Sequence, residues 1–334
     1  MKVGVVIPAF NGAKYVADCL GSLQAQTHTC WEAYVMDDGS KDGTYDAVKA
    51  FAERDGRVRV WRQENRGLVA TMNTLLDRLD GSIDRVAFLD IDDFIHPQMF
   101  ETLLSAAERT GADVAECSMV RVPEDATPGG VFSGGLPEGI RERMIDDMSI
   151  YWTRRTSPDG WINKQNKIYR RDAIGDVRFQ PTLSYEDDFF FACEINARIR
   201  RKVKLDAAFY AYRETPGSAT GSVPMRKYVG ATLERIRLSL DVFLAAGRVP
   251  PEFEAEYRAD LARDAYRMCI RKNLRKNRDA AQRRELFLEA GRTLAAFERD
   301  RGFAPVGLNA IQRLVYRACL RGRYRLASLL SPLA

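Results

Sequence analysis

Val86-Ala87-Phe88-Leu89-Asp90-Ile91-Asp92-Asp93 is a short apolar run that stops on three carboxylates. An apolar run of this length between polar segments reads as a strand buried on both faces. Three like charges within four residues repel one another unless a cation compensates. Mg²⁺ or Mn²⁺ is held by one or two carboxylates together with phosphate oxygens, which suits a D-x-D cluster. A solvated acidic turn is the plainer reading of D-x-D alone. The place of the cluster, at a strand end, favours the metal.

The same pattern repeats upstream. Lys2–Pro8 is a continuous β-branched run, followed by a helical stripe of Tyr15, Val16, Cys19, Leu20 and Leu23, with Asn11 as its expected N-cap. Trp31–Met36 is a second strand, ending in Asp37-Asp38-Gly39-Ser40. A helix is expected from Thr44, which can cap it, to about Glu53. Val58–Trp61 is a third strand, and Leu68, Met72, Leu75, Leu76 and Leu79 form another stripe. After Asp93, Pro97 suits the first turn of a helix running to about Arg109. Strands alternating with helical segments imply right-handed βαβ units and a Rossmann-like, mostly parallel α/β sheet with flanking helices. Such sheets bind ligands beyond the carboxyl ends of their strands. Three polar clusters fall there: Pro8–Asn11, Asp37–Ser40 and Asp90–Asp93.

The 334 residues allow one large or two modest domains, and 46% apolar with 29% charged residues is ordinary for a globular chain. No apolar run approaches the roughly 18 residues of a membrane span. Pro8 ends the first run too early for a signal-peptide core, so the expected location is the cytoplasm. The six cysteines form no C-x-x-C pair and read as reduced, mostly buried thiols. Residues 1–120 carry 12 Lys and Arg against 19 Asp and Glu, whereas the remainder carries 39 against 27. Residues 123–139, rich in Pro and Gly, read as a loop or hairpin over the site. From about 221 to 334 the pattern is helical, which places a boundary near 220. Residues 301–334 hold six arginines and no acid. Ile311, Leu314, Val315 and Ala318 make one helical face there, and Arg313, Arg317 and Arg321 another. A basic amphipathic helix suggests peripheral association with a membrane surface, the plainer reading being a helix packed on the catalytic domain with its arginines in water. No recognition motif accompanies the charge, so nucleic acid is not an expected partner.

Tyr185-Glu186-Asp187-Asp188 precedes Phe189-Phe190-Phe191. Acids at a helix start are favoured by its dipole, and a half-apolar pocket tunes a carboxylate as a general base. Trp152 and Trp161 read either as buried core or as aromatic faces on which a sugar can stack.

In order along the chain stand Pro8-Ala9-Phe10-Asn11, Asp37-Asp38-Gly39-Ser40-x-Asp42-Gly43-Thr44, Asn65-x-Gly67, Asp90-x-Asp92-Asp93 and Glu186-Asp187. This set, over about residues 1–220, resembles the family-2 glycosyltransferases of GT-A fold, which are inverting and use nucleotide sugars. Asn166-Lys167-Ile168-Tyr169-Arg170-Arg171 and Tyr212-Arg213 followed by Gly217-Ser218 are similar to the bacterial branch that builds capsules, teichoic acids, exopolysaccharides or lipopolysaccharide. The resemblance implies that Asp38 contacts the nucleobase and that Pro8, Phe10 and Asn11 line its pocket. It implies that Asp90 holds the donor ribose and that Asp90, Asp92 and Asp93 bind Mn²⁺ or Mg²⁺. Asp187 is implied as the base, with Glu186, Trp152 and Trp161 on the acceptor side. Arg213 stands where relatives contact the diphosphate. Where relatives carry Ala-Arg-Asn, this chain has Thr71-Met72-Asn73, which leaves Arg66 as the substitute cation. The motif of processive synthases is absent.

The expected activity is therefore metal-assisted, inverting transfer of a sugar from a nucleotide-sugar donor, UDP-linked by family weight, to a hydroxyl of a glycan or lipid-linked acceptor. A nucleotidyltransferase would need a Gly-rich phosphate loop with a basic residue after the first strand, which Pro8–Lys14 does not supply. A catalytically silent sugar-nucleotide or glycan-binding scaffold is the alternative from another class.

Overall fold

A computed structural model describes residues 1–136, 138–146, 163–180, 187–196, 198–215, 233, 251–271, 280–301 and 307–330. The chain divides into two compact units; the first is formed by Met1–Met148, Ile162–Thr182 and Asp187–Ser218, and the second includes Ala219–Ala334.

The first unit starts with four strands: β1 (Val3–Ala9), β2 (Trp31–Asp37), β3 (Val58–Arg62) and β4 (Arg85–Phe88). They lie parallel in the order β3-β2-β1-β4. Between them run α1 (Val16–Gln24), entered through a 3₁₀ turn at Ala13–Tyr15, then α2 (Thr44–Ala52) and α3 (Leu68–Arg78). This is the succession that the alternating apolar runs predict. Every residue of β1 is buried. Val3, Val5 and Ile7 face one core with Leu20, Leu23, Trp31 and Val35; Val6 faces the other with Met36, Met72, Leu75 and Phe88. Gly4 breaks the alternation because a Cβ there would lie 2.9 Å from Ile83 Cγ2.

Beyond β4 the sheet becomes mixed. It continues through β5 (Phe94–Ile95), β6 (Val114–Pro123), β7 (Glu142–Ile145), β8 (Lys167–Arg170) and β9 (Lys202–Glu214), with α4 (Met99–Thr110) leading into β6. β8 is antiparallel to both β4 and β6, β6 and β9 are parallel, and β5 and β7 are antiparallel to β9. α4 starts at Met99 with Gln98 as its cap, so Pro97 stands just outside the helix rather than in its first turn. The Pro/Gly-rich stretch carries the short helix α5 (Pro128–Val131), which the Thr127 side chain caps. A short helix α6 (Arg171–Ile174) follows β8, and α7 (Asp187–Asn196) precedes β9. Phe191 pins α7: it stacks on Phe179 at 4.1 Å and meets Phe88 of β4 edge-on at 5.4 Å. The helix that opens with Asp187 is thereby fixed against the strand that ends in the acid cluster.

Charge is also buried in the mixed half. Glu116 on β6 lies among three lysines: Lys202 in direct contact, and Lys167 and Lys204 each at 3.4 Å. Burial alone would raise the Glu116 carboxyl, but the lysines outweigh it and hold it at about 2. Burial, with Lys202 nearby, lowers Lys167 to about 8. Lys167 Nζ also donates to the Asn163 and Gln165 carbonyls, so the cluster braces residues 163–167.

The described part of the second unit is helical: α8 (Pro251–Asp264) running into a π-helical turn at Ala265–Arg271, α9 (Ala280–Arg301), α10 (Ala310–Leu320) and α11 (Tyr324–Leu330). A reciprocal cap between Asn309 and Gln312 starts α10. Gly291 of α9 is required by close helix approach, because a Cβ there would meet the Cys319 carbonyl. The buried face of α10 is Val315, Tyr316, Ala318 and Cys319. Leu314, expected on that face, is 53% exposed.

Removing one partner of a buried ion cluster typically costs about 3–5 kcal/mol. Glu116→Gln is expected to lower unfolding free energy by that order in urea melts, whereas Asp206→Asn, at the exposed Arg141 pair, should cost less than about 1 kcal/mol.

Candidate active site

The loops after β1 and β2 are tied together by side chains. Asn11 N donates to Ser40 Oγ at 2.9 Å, Gly12 N to Thr44 Oγ1 at 2.9 Å and Ala13 N to Asp42 Oδ2 at 3.1 Å. Lys41 N donates back to Asn11 Oδ1 at 3.0 Å. Asn11 does this from a left-handed backbone with φ of 48°. It therefore bridges two loops and caps no helix, and Thr44 likewise points its hydroxyl at the neighbouring loop while Gly43 takes the cap position of α2. Phe10 stands out from this knot, half exposed, and Pro8 is buried within β1.

Asp38 organises a third loop. Its Oδ1 accepts from Gln63 Nε2 and Arg66 N, and its Oδ2 from Gly67 N, each at 2.8 Å. Gly39 must be glycine here: its φ is +78° and a Cβ would come within 2.9 Å of Asn65 N. Asn65-x-Gly67 is thus held against the carboxyl end of β2. Arg66 is bonded only through its backbone among the described contacts, and its side chain is exposed. Met72, at the position where relatives carry Arg, is wholly buried in the core. Asn73 pairs both ways with the Phe179 backbone.

The acid cluster splits by function. Asp93 is buried and both its oxygens are engaged: Oδ2 accepts from Tyr210 OH at 2.6 Å and Oδ1 from Arg213 N at 2.8 Å. Burial, and then Asp90 and Asp92, push its carboxyl well above the usual range. Asp93 is a structural anchor between β4 and β9, which leaves Asp90 and Asp92 as the pair suited to an ion. Arg213 is committed in the same way. Its Nη2 donates to Asp18 Oδ2 at 2.7 Å, its Nη1 to the Glu124 carbonyl at 2.8 Å, and its guanidinium lies against the rings of Tyr15 and Phe94. These contacts hold the loop after β6.

Asp90 accepts from Gln165 Nε2 at 2.5 Å, and Lys164 Nζ lies 3.4 Å from it. The same buried ammonium lies 3.4 Å from Asp188 Oδ1. Lys164 thus links the D-x-D loop to the first turn of α7. Among the described residues, the side-chain contact of Asp92 is a long one of 3.5 Å from Thr215 Oγ1; its own backbone N–H and the charge of Lys164 also favour its ionised form. Burial and the adjacent Asp90 raise its carboxyl to about 6. No group of three or more Asp, Glu, His or Cys that could hold a metal occurs among the described residues. A divalent ion that takes one or two protein carboxylates and completes its shell with phosphate and water still fits Asp92 beside Asp90. Such an ion would relieve the burial and the like-charge repulsion that raise the Asp92 carboxyl.

Asp187 opens α7; Glu186, Trp152 and Trp161 lie outside the described residues. Sequence reasoning missed Lys164, Gln165, Tyr210 and Asp18. The only signal was the polar run Asn163-Lys164-Gln165-Asn166-Lys167 directly before an apolar strand, which reads as a solvated turn unless its burial is known.

The model of the family described as Glycosyl transferase family 2 matches residues 4–178. The chain belongs to glycosyl transferase family 2. This family-2 chain is 30% identical over 248 residues to the glycosyltransferase GlyA of Streptococcus pneumoniae, a match covering 71% of this chain and 34% of GlyA. It is 25% identical over 235 residues to the uncharacterized glycosyltransferase EpsJ of Bacillus subtilis, covering 70% of this chain and 67% of EpsJ. It therefore spans about a third of the length of one relative and two thirds of the other. Among solved structures, S. aureus TarS in complex with UDP-GlcNAc superposes with a TM-score of 0.70 at 18% identity, covering 99% of this chain and 91% of that one. The fold is that of TarS, in agreement with the GT-A expectation.

Asp92 yields a pH-dependent stability. Its folded value of about 6 lies above the ordinary aspartate value of 3.8, so ionising it opposes folding as pH rises from about 4 to 6 and the full penalty stands above 6. Metal-free Asp92→Asn should therefore be more stable than wild type at pH 7, by roughly 1–3 kcal/mol. The gain should fade below pH 4, as read from thermal melts across pH.

Proposed function

We propose that this chain is an inverting glycosyltransferase that moves a sugar from a UDP-linked donor to a hydroxyl of a glycan or lipid-linked acceptor in cell-envelope polysaccharide synthesis. It works on the cytoplasmic side of the membrane, at its surface. The observation that carries the reading is the approach of the strand-end loops after β1, β2 and β4, with a half-buried Asp92, its carboxyl raised to about 6, beside Asp90. A nucleotide sugar needs those elements together: a pocket for the base, acceptors for the ribose and a negative site for a bridging cation. Family membership supports it, as do UDP-GlcNAc in TarS and GDP-Man with Mn²⁺ in the Pyrobaculum calidifontis mannosyltransferase PcManGT, whose TM-score is 0.51.

In this mechanism Pro8, Phe10 and Asn11 border the base and Asp38 presents the base-side loop. Asp90 accepts from the ribose, with Arg66 at the open edge of the donor. Asp92, with Asp90, would hold Mn²⁺ or Mg²⁺, and the positive charge that such an ion supplies would favour departure of the diphosphate. Asp187 accepts the proton of the acceptor hydroxyl. As it does, the acceptor oxygen bonds to the anomeric carbon and the carbon–oxygen bond to the diphosphate breaks. Attack from the face opposite the leaving group inverts the anomeric centre. Glu186, Trp152 and Trp161 contact the acceptor. Lys164 keeps the D-x-D loop and α7 in register, so that donor and base are presented together.

General-base assistance is typically worth about 10²–10⁴-fold. Asp187→Asn is expected to lower kcat within that range, measured as nucleotide release with acceptor, while donor affinity by calorimetry stays within about threefold. Wild-type turnover in that variant would remove Asp187 from the mechanism. Donor that binds wild type yet is consumed with no acceptor would favour the silent scaffold.

A further inference from the structure

The last 34 residues carry six arginines and no acid. The structure adds what the sequence misplaced. Ala310, Arg313, Leu314, Arg317 and Arg321 are all exposed, and their spacing of three and four residues puts them on one stripe of α10 and its C-terminal end. Val315, Tyr316, Ala318 and Cys319, on the other side of α10, are buried, so the helix is held and the stripe is its outward face. α11 repeats the arrangement on a smaller scale: Ala327 is buried, while Arg325, Leu326 and Leu329 are exposed, with Arg323 just before. Leu326 is 42% and Leu329 74% exposed. Three of the eight large apolar side chains exposed among the described residues thus stand within these two short helices, among arginines.

We propose that α10 and α11 form a docking surface for an anionic lipid bilayer, with the arginines at the headgroup phosphates and Leu314, Leu326 and Leu329 in the interfacial layer. The charge pattern selects this occupant. A second copy of the same face would bring like charges together. A nucleic acid would satisfy the arginines but leave three leucines against a polar backbone, and no exposed aromatic on these helices offers base stacking. An anionic bilayer satisfies both halves of the surface. Burial raises the carboxyl of Glu298 on α9, and the charge of Arg317 offsets part of that rise. The inference deepens the transferase reading and rests on it only for its use, which is to bring the site to a lipid-linked acceptor. Binding to vesicles needs neither donor nor acceptor.

The test is flotation of the full chain, without nucleotide, with phosphatidylcholine vesicles and with vesicles containing 30% phosphatidylglycerol. Each basic residue near such a surface changes partitioning by about fivefold. The chain should float with the anionic vesicles only and be released by 0.5 M NaCl. The combined Arg313→Gln, Arg317→Gln, Arg321→Gln and Arg325→Gln variant should partition at least 100-fold less. Leu326→Ser with Leu329→Ser should weaken partitioning several-fold and keep the salt dependence. All substituted side chains are exposed, and unchanged circular dichroism and melting temperature check that each variant folds. Equal flotation with neutral vesicles, no flotation with either, or undiminished flotation of the arginine variant would overturn the proposal. Nucleotide release with a soluble acceptor should be the same in native chain and arginine variant, so failure of the docking surface and failure of the transferase reading give different results.

Discussion

Three carboxylates at the end of one buried strand repel one another, and the first unit supplies a different compensation to each. Asp93 is sealed by Tyr210 and the Arg213 backbone, both from β9. Asp90 receives Gln165 and Lys164 from the segment before β8. Asp92 receives a long contact from Thr215, its own backbone N–H and the more distant charge of Lys164, and burial with Asp90 outweighs them and raises its carboxyl to about 6.

That arrangement explains why the sheet continues past its parallel half. β8, β6 and β9 add antiparallel and parallel pairings that bring residues 163–167 and 210–215 to the D-x-D loop. The ion cluster around Glu116 braces Lys167 and, through it, the loop containing Lys164. Phe191 fixes α7 on Phe88 and Phe179, which sets the start of that helix close in structure to the strand that ends at the acids. Packing, buried charge and the reacting groups are therefore consecutive parts of one construction.

The parallel half was legible because both faces of its strands are buried and its residues are apolar without interruption. The mixed half was not, because β6, β8 and β9 carry Glu116, Lys167 and Lys202 inside the fold, and buried ions look like solvated ones in a sequence. The same cause hid Lys164 and the ion pair of Arg213 with Asp18. Asn11 was read as a helix cap, since its left-handed backbone and its bond from Lys41 appear only when the two loops meet. The positions of Asp38, Asp90 and Asp92 at strand ends followed from topology alone. In the second unit, helical spacing located α10, but only packing against Gly291 of α9 decided that Leu314 faces outward.

The account rests on Asp92 as the carboxylate that a donor-borne cation completes. Its most direct test is the thermal stability of wild type and Asp92→Asn with UDP, GDP, dTDP and CMP, each with and without Mn²⁺. A nucleotide at 100 times its Kd stabilises by about 2.7 kcal/mol, which is several degrees for a unit of this size. The account predicts a shift with UDP and Mn²⁺ together that disappears in Asp92→Asn. An equal shift without Mn²⁺, or one that survives in Asp92→Asn, would contradict it.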